Sequence, residues 1–159
     1  MEAADRKVSP EQEHELLKRI CAGNAQAEDW MQGLRAYVHL SDDIVDEDLA
    51  PEHKVRGTER LCQLGALQLK LYTHPFFLTH QGPLHGAMLS NLVAYADSVA
   101  WEGETGWKGV CADWLRHGGI EIVMIIAAAV GGYEHMRSFS QELRTLAYDL
   151  HHDEEGKPV

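Results

Sequence analysis

With 159 residues, of which 45% are apolar and 25% charged, the chain has the make-up of one globular domain and lies far from the low-hydrophobicity signature of disorder. A formal net charge of −11 sets up a field that repels nucleic acid and anionic membranes, and no dense Lys/Arg run offsets it, so neither is an expected partner. Cys21, Cys62 and Cys111 are odd in number and widely spaced, which points away from a disulfide framework or a Cys-x-x-Cys zinc site and toward free thiols in a reducing, cytoplasmic setting.

Ser9-Pro10-Glu11-Gln12 supplies a capping hydroxyl, a proline at the first helical position and Gln at the capping-box position, which predicts a helix from there to about Cys21, stopped by Gly23-Asn24. A second helix starts near Ala25, with Trp30, Leu34, Tyr37, Val38, Ser41 and Val45 on one face. Pro51 and Glu52-His53-Lys54 interrupt the pattern. Leu61, Leu64, Leu67 and Leu71 resume it as a third helix that ends at His74-Pro75. Residues 76–83 lack helical spacing and read as a loop whose phenylalanines pack back onto the core.

A fourth helix is predicted from about Leu84 to Trp101, followed by a connection marked by Gly103, Gly106 and Gly109. Residues 110–130 then read as one long, buried, central helix that runs through Gly118-Gly119. Gly131-Gly132 ends or kinks it, and Ser138 or Ser140 caps a last helix carrying Leu143, Leu146, Ala147 and Leu150. The apolar run Ile120 to Val130 is too short for a membrane span of about 20 residues. No secretory signal is read at the N-terminus. No stretch alternates with period two and no repeat of fixed period is found. The expected fold is all-α: one domain over 1–159, a bundle of five or six helices, with 1–8 and 153–159 flexible.

The best functional clue is the acidic cluster Asp42-Asp43-Ile44-Val45-Asp46-Glu47-Asp48. The helical step sets Asp42 and Asp46 about 40° apart in projection, one turn above another, with His39 on the same side. Carboxylates so placed repel one another and oppose the helix macrodipole, and a divalent cation relieves both penalties. Magnesium, or manganese in its place, is the natural match because it takes one or two carboxylates and leaves positions for water and substrate phosphate. The bland alternative is an acidic, solvated helix end.

Residues 39–48, His-Leu-Ser-Asp-Asp-Ile-Val-Asp-Glu-Asp, resemble the first aspartate-rich motif of class I isoprenoid diphosphate synthases, and Arg56-Gly57 is loosely similar to the basic residues and glycine that follow it. The resemblance implies that Asp42 and Asp46, with Asp43 beside them, hold Mg²⁺ ions that bridge a diphosphate. Arg35, Arg56 and Arg60 are the nearby cations suited to the substrate's negative charge.

A second constellation comes from spacing alone. Asp113, His117 and Glu121 fall at four-residue intervals and would form one line on an unbroken central helix. Glu121 lies within Ile120-Glu121-Ile122-Val123-Met124, so burial would require it to be paired, protonated or metal-bound. The alternatives are a structural pair with Arg116 or Arg137, or a solvent-facing position. His85 and Trp30, Trp101, Trp107 and Trp114 read as core residues.

Two functions follow. One is a Mg²⁺-dependent enzyme acting on a diphosphate-containing substrate, isoprenoid-synthase-like or nucleotide-pyrophosphohydrolase-like. The other is a non-catalytic helical interaction or accessory protein of the kind phage-derived modules provide. Homo-oligomerisation is compatible with both. A working metal site requires the Asp42/Asp46 stripe to meet Asp113, His117 or Glu121 across a pocket, within the chain or across a dimer interface.

Overall fold

The computed structural model describes residues 10–46 and 54–151, the side chains of 10, 46, 54–56 and 148–151 excepted. The tails 1–8 and 153–159, expected to be flexible, lie outside the described residues. The order is α1 (Pro10–Ile20), α2 (Ala25–Asp46), α3 (Lys54–Thr73), α4 (Pro75–Thr79), α5 (Gln81–Ala100), α6 (Trp107–Arg116) and α7 (Gly119–His151). There is no strand among the described residues, so the fold is all-α as the periodicity predicts. The helices group into two compact units, residues 24–81 and residues 1–23 with 82–159.

In the 24–81 unit, the Asn24 side chain accepts the Ala27 N–H at 3.0 Å and so caps α2. Helix α2 packs along α3. Gly33 makes room for this contact, since a Cβ there would stand 3.2 Å from Leu71 Cδ2. Trp30 is the centre of the unit: it is buried, its indole N–H donates to the Leu71 carbonyl at 3.0 Å, and its ring lies 6.1 Å from those of both Phe76 and Phe77.

The segment expected to be a loop over 76–83 is instead helical. His74 is extended, and its Nδ1 accepts the Phe76 N–H at 3.1 Å, while Pro75 supplies a pre-set first helical residue. With Nδ1 accepting, the ring proton sits on Nε2, which donates to Asp29 Oδ2 at 3.1 Å. The short α4 buries Phe76 and Phe77 together, as expected of those two side chains, and Gln81 opens α5 directly after His80.

In the other unit, α1 packs on α7. Leu16, Leu17 and Ile20 of α1 are buried, as are Ile122, Met124, Ile126, Ala127, Leu143 and Ala147 of α7. His135 Nε2–H donates to the Ile20 carbonyl at 2.8 Å, satisfying an acceptor that the end of α1 leaves open. None of the three cysteines is in a disulfide.

The long helix predicted over 110–130 is divided. Helix α6 ends at Arg116, the His117 ring Nδ1–H donates to the Asp113 carbonyl at 2.6 Å, and the His117 and Gly118 N–H groups turn back to the third residue before each. A Cβ on Gly118 would meet the Asn91 side chain of α5, so this glycine admits the close approach at which the helix breaks. Burial of the run from Ile120 is one-sided, with several of its residues only half-buried. By length and composition alone, the stretch 107–147 would suffice to cross a membrane.

Gly132 kinks α7, with φ 78° and ψ −174°, a region open in practice to glycine alone. Gly132→Ala is expected to cost about 1–3 kcal/mol, a fall in melting temperature of roughly 2–12 °C at this chain length. An unchanged melting curve would show that the kink is not needed. Ser138 and Ser140 do not cap a helix. Their hydroxyls donate back to the His135 and Arg137 carbonyls at 2.7 and 3.0 Å, inside a helix that resumes directly after Gly132.

Candidate functional site

The last turns of α2 carry the acidic cluster. Asp42 is half-buried and Asp43 exposed, while Asp46 ends the helix with its side chain outside the described residues, as are Glu47 and Asp48. The last turn of α2 contains no basic residue of its own. Arg60, from α3, reaches it instead: its Nη1 donates to the Asp43 carbonyl at 3.3 Å. One guanidinium thus satisfies a helix-end carbonyl and places a positive charge at the negative end of the helix dipole. Arg35 is half-buried and His39 exposed on the same helix, and the spacing 35, 39, 42 keeps them on one side of α2 with Asp42. Arg56 lies in α3 with its side chain outside the described residues.

The second constellation is not the line predicted. The break at 117–118 removes the continuous helix on which Asp113, His117 and Glu121 would have aligned. Glu121 is not buried: its side chain is 60% exposed and accepts a 2.8 Å bond from Arg144 Nη2. The apolar side of α7 is turned inward at Ile122 and Ile126, and the carboxylate one position earlier faces out. Its partner is neither Arg116, which pairs with Glu102 at 3.1 Å, nor Arg137, which donates to Ser140 Oγ at 2.6 Å. Asp42, Asp43 and Arg60 belong to the 24–81 unit, whereas Asp113, His117 and Glu121 belong to the other. Among the described residues, no three His, Cys, Asp or Glu side chains gather as a metal site would need.

Two features escaped the sequence. One is an open groove of about 530 Å³ between α1 and α7, lined by Gln12, Glu15, Arg19, Glu142, Thr145 and Leu146 among others. Arg19 is committed there to an ion pair with Glu142 and lies over the Phe139 ring, 5.5 Å from its centroid. The other is a set of exposed apolar side chains: Leu89, Leu92 and Val93 on α5, and Trp107, Val110 and Trp114 on α6.

Trp107 and Trp114, 67% and 71% exposed, are therefore not core residues, and neither is the exposed His85. Trp30 is core, and Trp101 is half-buried with its ring edge-on to Trp107 at 5.7 Å. No known protein family, curated protein or solved structure matches the chain.

Proposed function

We propose that this chain is a non-catalytic helical interaction protein that binds through the exposed apolar side chains of α5 and α6. The observation that carries the reading is that Trp107, Val110 and Trp114, at three- and four-residue spacing, form one exposed stripe along α6. Single exposed apolar residues are ordinary, but a stripe of this size on a surface is a mark of binding. Its charged neighbours are already matched within the chain, Arg116 with Glu102 at 3.1 Å and Lys108 with Glu104 at 3.9 Å, the pattern of an apolar centre with a polar rim.

If these residues serve binding and not folding, the triple variant Trp107→Ser/Val110→Ser/Trp114→Ser keeps its helicity. Its melting temperature should stay within roughly 5 °C of the parent, since exposed substitutions stay within about 0.5 kcal/mol each. Loss of cooperative unfolding would show that the stripe belongs to the fold.

The Mg²⁺-dependent diphosphate reading keeps one supporting observation, the Arg60 guanidinium bonded to the backbone carbonyl of Asp43 within the acidic cluster. It predicts that millimolar Mg²⁺ or Mn²⁺ raises the melting temperature, with a stabilisation of about 2.7 kcal/mol at a hundred times Kd. The rise would be lost in Asp42→Ala/Asp43→Ala. The interaction reading predicts superimposable melting curves with and without metal.

A further inference from the structure

Helix α7 is not a straight rod. On a straight helix residues 121 and 144 would lie about 35 Å apart along the axis, yet Arg144 Nη2 bonds Glu121 Oε1 at 2.8 Å, so the chain doubles back between them. The one non-helical residue within Gly119–His151 is Gly132, at φ 78° and ψ −174°. Helix α7 is therefore a hairpin of two arms, 119–131 and 133–151, joined by a single residue and no loop.

The second arm is held from two sides. Its Ser140, Leu143 and Ala147 are buried. Its Arg144 pairs with Glu121 of the first arm, its Glu142 pairs with Arg19 of α1, and its His135 ring donates to the Ile20 carbonyl of α1. The corner, by contrast, is open, since no residue from 128 to 139 is buried. Bringing Gly132 into the helical region thus carries the second arm away from α1 and the first arm without unpacking a core at the corner itself.

We infer that Gly132 is a hinge and that, when it straightens, the second arm docks on α1 and the first arm of a second copy of the chain, giving an exchanged dimer. Two observations select this occupant. The first is symmetry. Glu121 and Arg144 lie eleven and twelve residues to either side of Gly132. A two-fold axis at the hinge of two straightened, antiparallel helices therefore sets Glu121 of one opposite Arg144 of the other, and the contacts of the closed hairpin are remade between copies. The site that the departing arm leaves offers Glu121 to a cation and Arg19 to a carboxylate, the pair that Arg144 and Glu142 of a second copy supply.

The second observation is the residue at 131. A Cβ on Gly131 would run into the His135 ring of the folded corner, whereas in a continuous helix the Cβ atoms of residues four apart stand about 5–6 Å from each other. Both glycines are thus needed by the closed form alone, and a strained joint this short favours exchange. Charge opposes it. Each copy carries −11, so the closed chain prevails in dilute solution at low salt, and concentration and salt shift the balance to the dimer.

The test uses the full chain in a Cys62→Ser/Cys111→Ser background, Cys21 being fully buried. Glu121→Cys chains and Arg144→Cys chains are mixed at high concentration and salt, warmed to just below the melting transition, cooled and treated with a short bis-maleimide. Exchange is expected to link 121 of one chain to 144 of the other and not like to like, because the two copies of residue 121 lie at opposite ends of the exchanged pair. Adding Gly132→Ala to both chains should tighten the dimer by roughly thirtyfold or more, the equivalent of about 1 kcal/mol at each of two hinges, with helical circular dichroism retained. Should Gly132→Ala fail to fold, Gly131→Ala strains the same corner and is expected to act in the same direction. Absence of 121–144 links between chains, links of like to like, or a dimer indifferent to alanine at the hinge would each overturn the exchange. The exchange uses none of the α6 stripe and is expected unchanged in Trp107→Ser/Val110→Ser/Trp114→Ser, so its failure and that of the proposed binding surface are told apart.

Discussion

Trp30→Ala is expected to lower the stability of the 24–81 unit by about 3–5 kcal/mol, the range for removing a large aromatic from a packed core. The physical basis is the position of the indole: fully buried, against Phe76 and Phe77, with its N–H on the Leu71 carbonyl. Without it, α4 loses the surface on which both phenylalanines lie, and the Leu71 carbonyl keeps only the longer bond, 3.4 Å, from the His74 N–H. At this chain length the loss corresponds to a fall in melting temperature of roughly 6–20 °C. Trp30→Phe keeps most of the apolar contact and gives up the hydrogen bond, so about 1 kcal/mol is expected. Equal melting temperatures for the parent and Trp30→Ala would show that the unit is not built around this side chain.

Ile126→Asp is expected to abolish folding of the unit that joins α1 to α7. Ile126 is fully buried on the side of α7 that also buries Ile122 and Ala127. A carboxylate introduced there must either stay ionised without a partner or take up a proton, and either way the cost exceeds about 4 kcal/mol. Leu69→Asp is the control, because Leu69 of α3 is 69% exposed and a surface change of this kind stays within about 0.5 kcal/mol. Circular dichroism and a thermal melt compare the two. A folded Ile126→Asp chain would contradict the assignment of the α7 run as a core helix.

The helices were legible in the sequence wherever a stop signal and an apolar stripe agreed. Gly23-Asn24 closes α1 and starts α2 within a residue of the prediction, because the asparagine side chain is itself the cap. His74-Pro75 was read correctly as the end of α3 but not as the start of α4, since the cap is a histidine ring nitrogen, a residue outside the usual capping set. The break at 117–118 is hidden because glycine tolerates a helix, and the close approach of Asn91 to Gly118 there involves a residue distant in sequence.

Burial was the least legible property. Helix α5 is apolar on nearly every side, so its pattern could not say which side is covered. Trp107 and Trp114, read as core by residue type, face outward. Glu121 shows the mirror-image difficulty: its neighbours in sequence are apolar, yet it takes the solvent-facing, arginine-paired alternative, with Arg144, 23 residues away, in place of Arg116 or Arg137.

The acidic cluster on α2 was visible from spacing alone. Arg60, a candidate from its charge and position in the chain, bonds the Asp43 carbonyl.

The central claim is that the chain works by binding through α5 and α6, and chemical cross-linking with mass-spectrometric read-out in cells that express the full chain tests it most directly. Lys108 lies within α6, next to Trp107 in sequence and between it and Val110 and Trp114. The account predicts intermolecular links from Lys108, strongly reduced in Trp107→Ser/Val110→Ser/Trp114→Ser at equal expression. Links confined to within one chain, or intermolecular links that persist undiminished in the triple variant, would contradict it.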